Sequence, residues 1–470
     1  MANKSSSYAF GTSVDQDNDW LVGVDVSDTS QAATGTLKRF KPATIGKSLN
    51  RAIAVAASNS NARAKARADF VCTGTNDHII FQQAVDTAAA LGGGTVQLED
   101  GLYQPANTTY ITTSGIHFKG RGAGTIVKPV WTLPGVNSIY YTFRMDGTAL
   151  AYIESNISDL SIITDAPFNL YANGGFIGVS GWGTIWAQYC RNFGIENVYG
   201  YRVGFLTDTR NCEKYSLKSI RAKDSAGPSA LVTCNDIVVH DLYGDNVKVV
   251  VDFANVENVT ATQVSGSMMS LEEPTVKTGI DMGSCRNVAI NGGSLKGFWA
   301  GVHFKYEGFD TGPTSISGLT FENTTVGGVY VNMAGHTTGD RLGSLLIDTC
   351  TMKGTGSGVN IAGYAEDVTI SNCDINVTGA GGYGVTVQNG TNNTKIVGST
   401  IRSANEYAIF GGLLAGNTGL APDGLIVANC TLQAGGTNAT VFLSEFNNPQ
   451  FFANRIENSG GHRSEERRVG

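Results

Sequence analysis

The sequence is poor in the features that define most architectures. Ten prolines and 16% charged residues among 470 positions leave little of the charged, amphipathic patterning of helical bundles. No stretch reaches the roughly 18 unbroken apolar residues of a membrane span, so membrane insertion is not expected. A basic excess is missing too. Against 33 Lys and Arg stand 40 Asp and Glu, a net charge of −7, which argues against a dedicated nucleic-acid binder. The opening "MANKSSSYAFGTSVDQDNDW" is polar and lacks the apolar segment of a secretory signal, which points to a protein made in a cytoplasm. Eight cysteines are too few for a disulfide scaffold.

What is present is glycine, 60 of them, with many Asn, Thr and Val, the composition of short strands and turns. A chain this long exceeds one ordinary compact domain, but an elongated repeat can use all of it. Cys190, Cys212 and Cys234 are each separated by 22 residues, and such an interval marks a repeat. The apolar residues three positions later are Phe193, Tyr215 and Ile237, and the pattern recurs at Val259, Val288, Leu319, Leu345, Val368, Thr394, Leu425 and Phe451, at intervals of 22 to 31 residues. Just before these anchors stand Asn192, Asp236, Asn258, Asn287, Gly318, Asp367, Asn393 and Gly424, types that tolerate a left-handed turn. A second column holds Val198, Ile220, Leu242, Val264, Cys350, Cys373 and Cys430, while Cys285 rejoins the first. Coils of 22 or more residues with several short strands define a parallel β-helix. The cysteines are then small apolar residues stacked inside it, rather than disulfides or metal ligands.

The segment "TNDHIIFQQAVDTAAALGGG" reads as a capping helix, with Asn76 or Asp77 at its start, Ile80, Ala84, Val85 and Ala88 as its apolar face, and Gly92 as its stop. Solenoids need such a cover over their open strand edges. Together with "GGGTVQLEDGLY" and "GIHFKGRGAGT", this segment resembles the start of the right-handed β-helix in pectate-lyase-like proteins, and in bacteriophage tailspikes especially. The earlier "DNDWLVGVDVSDTSQAATGTLKRFKPATI" resembles particle-proximal segments of phage tail fibres and tailspikes. The resemblance implies an all-β, right-handed, single-stranded parallel β-helix in a virion tail protein. It also implies a homotrimer, attachment to other tail proteins through the N-terminal leader, and recognition of bacterial capsule, O-antigen or exopolysaccharide.

The expected organisation is a virion-attachment leader over 1–42, an Ala-rich neck or linker over 43–68 with Leu49, Ile53, Ala56 and Ala57 as its apolar stripe, and a helix cap over 69–92. The β-helix follows over 93–461. The charged 462–470, "HRSEERRVG", resembles foreign linker sequence and implies a missing natural C-terminal part. Sequons at Asn107, Asn258, Asn323, Asn429 and Asn438 follow from Asn turns running into Thr-rich strands.

Alternation in "VVDF", "GIDM", "GVHF", "GVYV", "GVNI" and "GVTV" places Asp252, Asp281, His303, Tyr330, Asn360 and Thr386 in one outward column. Lys305 shares that face. Trp299 and Tyr306 lie near in sequence, and longer coils add Glu307 and Asp310 on one loop and Glu272 and Glu273 on another. Asp252, Asp281, His303, Glu307 and Asp310 are the catalytic candidates. Trp299, Lys305, Tyr306, Tyr330, Asn360, Glu272 and Glu273 are the substrate-binding ones. Asp208, and Asp224 with Arg221, are lesser acidic candidates.

Adjacent coils bring Asp252 and Asp281 about 5 Å apart, the separation of retaining glycoside hydrolysis, and crowding is expected to raise one of the two pKa values. A more distant carboxylate suits inversion. His303, Tyr330 and Lys305 supply the base and cation for β-elimination of a uronic-acid polymer, and a non-enzymatic receptor-binding fibre can use the same surface. A secreted pectinase-like enzyme is disfavoured by the leader. No cofactor is expected, although Asp252 and Asp281 are oxygen ligands of the kind Ca²⁺ takes. The six histidines lack zinc-site spacing, "GRGAG" is not a phosphate loop, and no G-x-S-x-G elbow occurs.

Overall fold

The computed structural model describes residues 21–25, 36–40, 52–130, 141–165, 183–268, 277–305, 312–332, 342–354, 356–379, 381–412, 421–435 and 439–458. From residue 53 onward nearly every strand pairs in parallel with the strand one coil further along the chain. One face is a 13-stranded sheet running from Thr109–Ile111 to Val441–Ser444, and the other strands close around the same core. The protein is a parallel β-helix.

The 22-residue interval is the register itself. Phe193 pairs with Tyr215, Tyr215 with Ile237, and Ile237 with Val259, all inside the core. Two of the expected anchors move. Val288 pairs with Thr314, so Thr314 and not Leu319 continues the first column, while Leu319 pairs with Gly293 in the second. Near the other end Val427 pairs with Phe451, which places Phe451 two residues past the first column. The reason is the same in both places: insertions shift where each coil restarts, and the turn before Leu319 belongs to the other corner.

At the corners, Asn192, Asp236, Asn258, Asn287, Asp367 and Asn393 all have positive φ, between 48° and 56°. Gly318 and Gly424 share that conformation. Their side chains link successive coils. Asn258 Nδ2 donates to Asn235 and Asp236 at 3.0 Å each, and Asn287 Nδ2 donates to Asn258 at 2.7 Å.

All eight cysteines are free and buried. The seven within the coils share a corner bond: each Sγ donates to the carbonyl two residues earlier, as Cys212 does to Arg210 at 3.2 Å and Cys373 to Ser371 at 3.2 Å. Ser399, stacked between Cys373 and Cys430, makes the same bond to Val397 at 3.1 Å. The column therefore selects a compact side chain with a donor, and cysteine adds apolar burial to that.

The capping helix spans His78–Ala90. Its buried face is Phe81, Ala84, Val85 and Ala88, with Ile80 only half-buried. Phe81 meets Tyr103, Phe118 and Phe143 at ring-centroid distances of 5.4, 5.5 and 6.1 Å and plugs the end of the core. Asp77 sits at the N-cap position but does not cap the helix. Its buried carboxylate accepts from Gly74 N at 3.0 Å and Gln104 N at 2.7 Å instead. Beyond the helix, Gly92 at φ 87° and Gly93 at 114° return their amides to Ala89 and Ala88.

The expected neck is corrected. Ile53–Ala56 is a strand pairing with Gly94–Leu98, so the β-helix begins near residue 53 and not 93. Ile53, Ala56 and Ala57 are buried in its first coil, and only Ala62–Arg67 is helical there, with no buried residue. Leu49 lies outside the described residues, as do 462–470 and most of the leader. Within the leader Leu21–Asp25 and Thr36–Phe40 form an antiparallel pair. Among the described residues no helix is long and apolar enough to cross a membrane.

We expect none of the eight thiols to react with a thiol reagent in the folded protein and all eight to react in denaturant. Cys373→Ser should stay within about 1 kcal/mol of the parent, because the corner donor survives. Cys373→Ala should cost about 1–2 kcal/mol, read by thermal or denaturant melts.

Candidate functional site

The outward column of the 13-stranded sheet follows the expected register throughout. Asp252 pairs with Asp281, Asp281 with His303, His303 with Tyr330, Tyr330 with Asn360, and Asn360 with Thr386. In each strand the flanking residues enter the core. Val302 and Phe304 are at most 1% exposed on either side of His303, which fixes the direction of its side chain. Toward the N-terminus the column continues through Ala230 and Asp208 to Trp186.

The part of this column from Asp208 to His303 lines a cleft of about 530 Å³. One wall is Asp208 and Arg210, the floor includes Ala230 and Val232, and the opposite wall is Asp252, Asp281, His303 and Lys305. Alanine at 230 is what opens the cleft, because it leaves one rung of the column without a large side chain.

Asp281 is the hub of the second wall. Its Oδ1 lies 2.9 Å from His303 Nδ1 and its Oδ2 lies 2.8 Å from Lys305 Nζ, which also stands 3.8 Å from Asp252 Oδ1. Burial pushes the Asp281 carboxyl up, but the hydrogen bond from His303 and the Lys305 ammonium outweigh it and hold the group below the usual carboxylate range. Lys305 sits between Asp281 and Asp252 and offsets the crowding of the two carboxylates. An ionised Asp281 can only accept, so the proton of this bond lies on His303 Nδ1, and the ring's other nitrogen is Nε2. That Nε2 is buried and has no hydrogen-bond partner among the described residues. Lys305 also fills the place that a Ca²⁺ held by Asp252 and Asp281 would need. The pair does not fit that ion, and among the described residues no group of three or more His, Cys, Asp or Glu is arranged to hold a metal.

Aromatic rings continue the wall. His303 stacks on Tyr330 at 5.5 Å and 12°, and Trp299 stands edge-on to both, at 5.5 and 5.2 Å. Asn360 lies beyond Tyr330 and accepts from Thr386 Oγ1 at 2.6 Å.

On the first wall Arg210 donates to both oxygens of Asp208, at 3.1 and 3.2 Å, and lies over the Trp186 ring at 4.7 Å. Asp208 is only 2% exposed. Burial pushes its carboxyl up more strongly than Arg210 pulls it down. Two rungs of about 4.8 Å separate Asp208 from Asp252 along the column.

Of the remaining candidates, Arg221 and Asp224 do not join the cleft. Arg221 pairs with Asp241 at 3.0 Å, not with Asp224, which accepts from Asn246 at a corner. Glu272, Glu273, Tyr306, Glu307 and Asp310 lie outside the described residues. Sequence reasoning undervalued Asp208 and missed Arg210 and Trp186. The available signal was spacing, since Trp186, Asp208, Ala230 and Asp252 follow at successive 22-residue intervals.

Comparison with known proteins places the fold. Residues 300–463 match the family described as "Right handed beta helix region". The protein is thus a right-handed parallel β-helix. No curated protein sequence matches the chain. Among solved structures, the A-module of mannuronan C-5 epimerase AlgE6 from Azotobacter vinelandii is 17% identical, with 82% of this chain and 96% of that one covered and a TM-score of 0.46. Tailspike protein 3 of bacteriophage CBA120 is 12% identical, over 84% of this chain and 60% of that one, with a TM-score of 0.46. Gene product 12 of bacteriophage phi29, in its pre-mature form, is 11% identical, over 83% and 56%, with a TM-score of 0.49. The chain thus spans less than two thirds of either phage protein. At these identities the likeness is one of fold.

The opposite tendencies of the two walls have a measurable sign. The depressed Asp281 contributes stability that is present above the ordinary carboxylate pKa and is lost as pH falls below it. Asp281→Asn should remove about 1–2 kcal/mol of neutral-pH stability and flatten the acid limb of a melting-temperature profile against pH.

Proposed function

We propose that the chain is a virion tail protein that binds a bacterial surface polysaccharide (capsule, O-antigen or exopolysaccharide) and cleaves it by glycoside hydrolysis. One observation carries this reading: a single cleft joins Asp208, a carboxyl whose pKa burial raises, to Asp281, whose pKa His303 and Lys305 hold down, with Asp252 beside Lys305. Glycoside hydrolysis needs such a division between acid and base. The tail setting and the trimer rest on the sequence resemblance of the leader and the cap.

In the proposed reaction Asp208 donates its proton to the glycosidic oxygen as the bond to the anomeric carbon breaks. Asp252 takes a proton from the water that attacks that carbon from the opposite side. Two rungs, roughly 9.6 Å, put this pair at the upper end of the spacing for inversion rather than retention. Asp281 anchors Lys305 and His303 and so keeps the wall in place. Trp299 and Tyr330 offer ring surface to a pyranose, and Asn360 an amide to its hydroxyls.

A second reading draws on His303, whose buried Nε2 has no hydrogen-bond partner among the described residues. With Lys305 facing a uronate carboxylate, the same wall supports β-elimination.

The test is incubation of the full chain with a panel of purified capsular and O-antigen polysaccharides. Hydrolysis predicts new reducing ends without the ultraviolet absorbance of an unsaturated sugar, and an inverted anomer in the first product. Asp208→Asn and Asp252→Asn should each lower turnover by about 10²-fold or more while binding persists. The rate should fall at high pH as Asp208 loses its proton, and at low pH as Asp281 gains one. An unsaturated product would replace hydrolysis by elimination at His303. Binding with neither product would make the protein a receptor-binding fibre.

A further inference from the structure

Beyond Thr386 the outward column changes character. Its next members are Phe410 and Phe442, paired in register. Tyr383 and Tyr407 lie beside them. The four rings form one strip. Phe410 stacks on Phe442 at 5.5 Å and 8°, Tyr383 on Phe410 at 4.8 Å and 27°, and Tyr383 on Tyr407 at 6.2 Å and 7°, with Tyr407 5.1 Å from Phe442. Phe442 is 40% exposed and the other three rings are half-buried. Neither phenol hydroxyl has a hydrogen-bond partner among the described residues. Four aromatic residues on the outer face of a solenoid do nothing for its core.

We propose that this strip is a remote glycan-binding subsite, which holds a stretch of the same polysaccharide that enters the cleft. The proposal rests on the function given above, and three observations select this occupant. The strip continues the cleft's own column: four rungs of about 4.8 Å put Phe410 roughly 19 Å from His303 along the solenoid axis. Of the intervening positions, Tyr330 and Asn360 are half-buried and offer a ring and an amide to a ligand running between the two sites, while Thr386 is buried and donates to Asn360. The size is also wrong for a subunit contact. Four rings of roughly 150–250 Å² each, mostly half-buried, expose at most a few hundred Å², whereas a stable protein interface takes about 800 Å² from each partner. Apolar ring surface bordered by free phenols suits a ligand with C–H faces and hydroxyl rims.

A chain anchored at the strip and threaded past Tyr330 reaches the cleft at an internal linkage. Cleavage is then endo, and the strip acts on long substrates and not on short ones. The strip residues are binding residues and touch no reacting group.

The experiment measures retention of the full chain on an array of purified capsular and O-antigen polysaccharides, for the parent, Tyr407→Ala with Phe442→Ala, and Tyr407→Phe. Melting temperature and sedimentation are recorded for each. Support is retention by the parent, a loss of about tenfold or more in the double variant, and a smaller loss in Tyr407→Phe, which keeps the ring and removes the hydroxyl. In turnover, the double variant should then raise KM for polymer, leaving kcat and the KM for short oligosaccharides unchanged. Parent-like retention by the double variant overturns the strip and leaves the proposed function standing. A fall in sedimenting mass in the double variant overturns it in favour of a subunit contact. A parent that retains no polysaccharide removes the proposed function and the strip with it. Should the double variant melt early, Tyr383→Ser, two residues ahead of the rung strand, carries the same comparison.

Discussion

Register between successive coils is the constraint on which the rest of this structure depends. Each parallel rung repeats at about 4.8 Å, so residues one coil apart in sequence become neighbours in space. The corner residues maintain that register. Asn and Asp at positive φ turn the chain and bond the coil below, and the cysteine thiols return a donor to the carbonyl two residues back. A slip of one residue would send His303 into the core and Val302 into water. Core, corners and site are therefore one arrangement viewed from three sides.

The site follows from what this register does to charge. Asp252, Asp281 and Lys305, with His303, share one wall over three consecutive rungs, and the three charges would repel or need solvent if any were displaced. Lys305 answers both carboxylates, which stand one rung apart. Across the alanine gap, Asp208 is pushed the other way by burial. A rigid stack can keep such a difference because side chains on different rungs are held to the spacing of the backbone and cannot relax toward each other.

Much of this was legible before the fold was known. The column from Asp252 to Thr386 was readable because each strand announces itself with an apolar pair around one polar residue. The positive-φ corners were readable because few residue types tolerate them. The failures were local. Leu319 and Phe451 were placed in the wrong column because insertions break the count. The stretch holding Ile53 and Ala56 read as a neck or linker because it is rich in alanine, which disfavours strands, and tertiary pairing with Gly94–Leu98 overrode that preference. Ile80 was taken for Phe81 at the cap by one residue.

By itself the sequence determined which residues share a column, because stacking turns a fixed interval into contact. It could not determine charge state, cleft or partner. Whether Asp281 is pulled down or pushed up depends on Lys305, which projects from the next rung at a different position along the strand. Whether Asp208 faces solvent depends on Arg210 and on what packs around it. Those outcomes depend on side-chain direction and burial across three coils at once, and no interval along one chain encodes them. Only the assembled solenoid decided them.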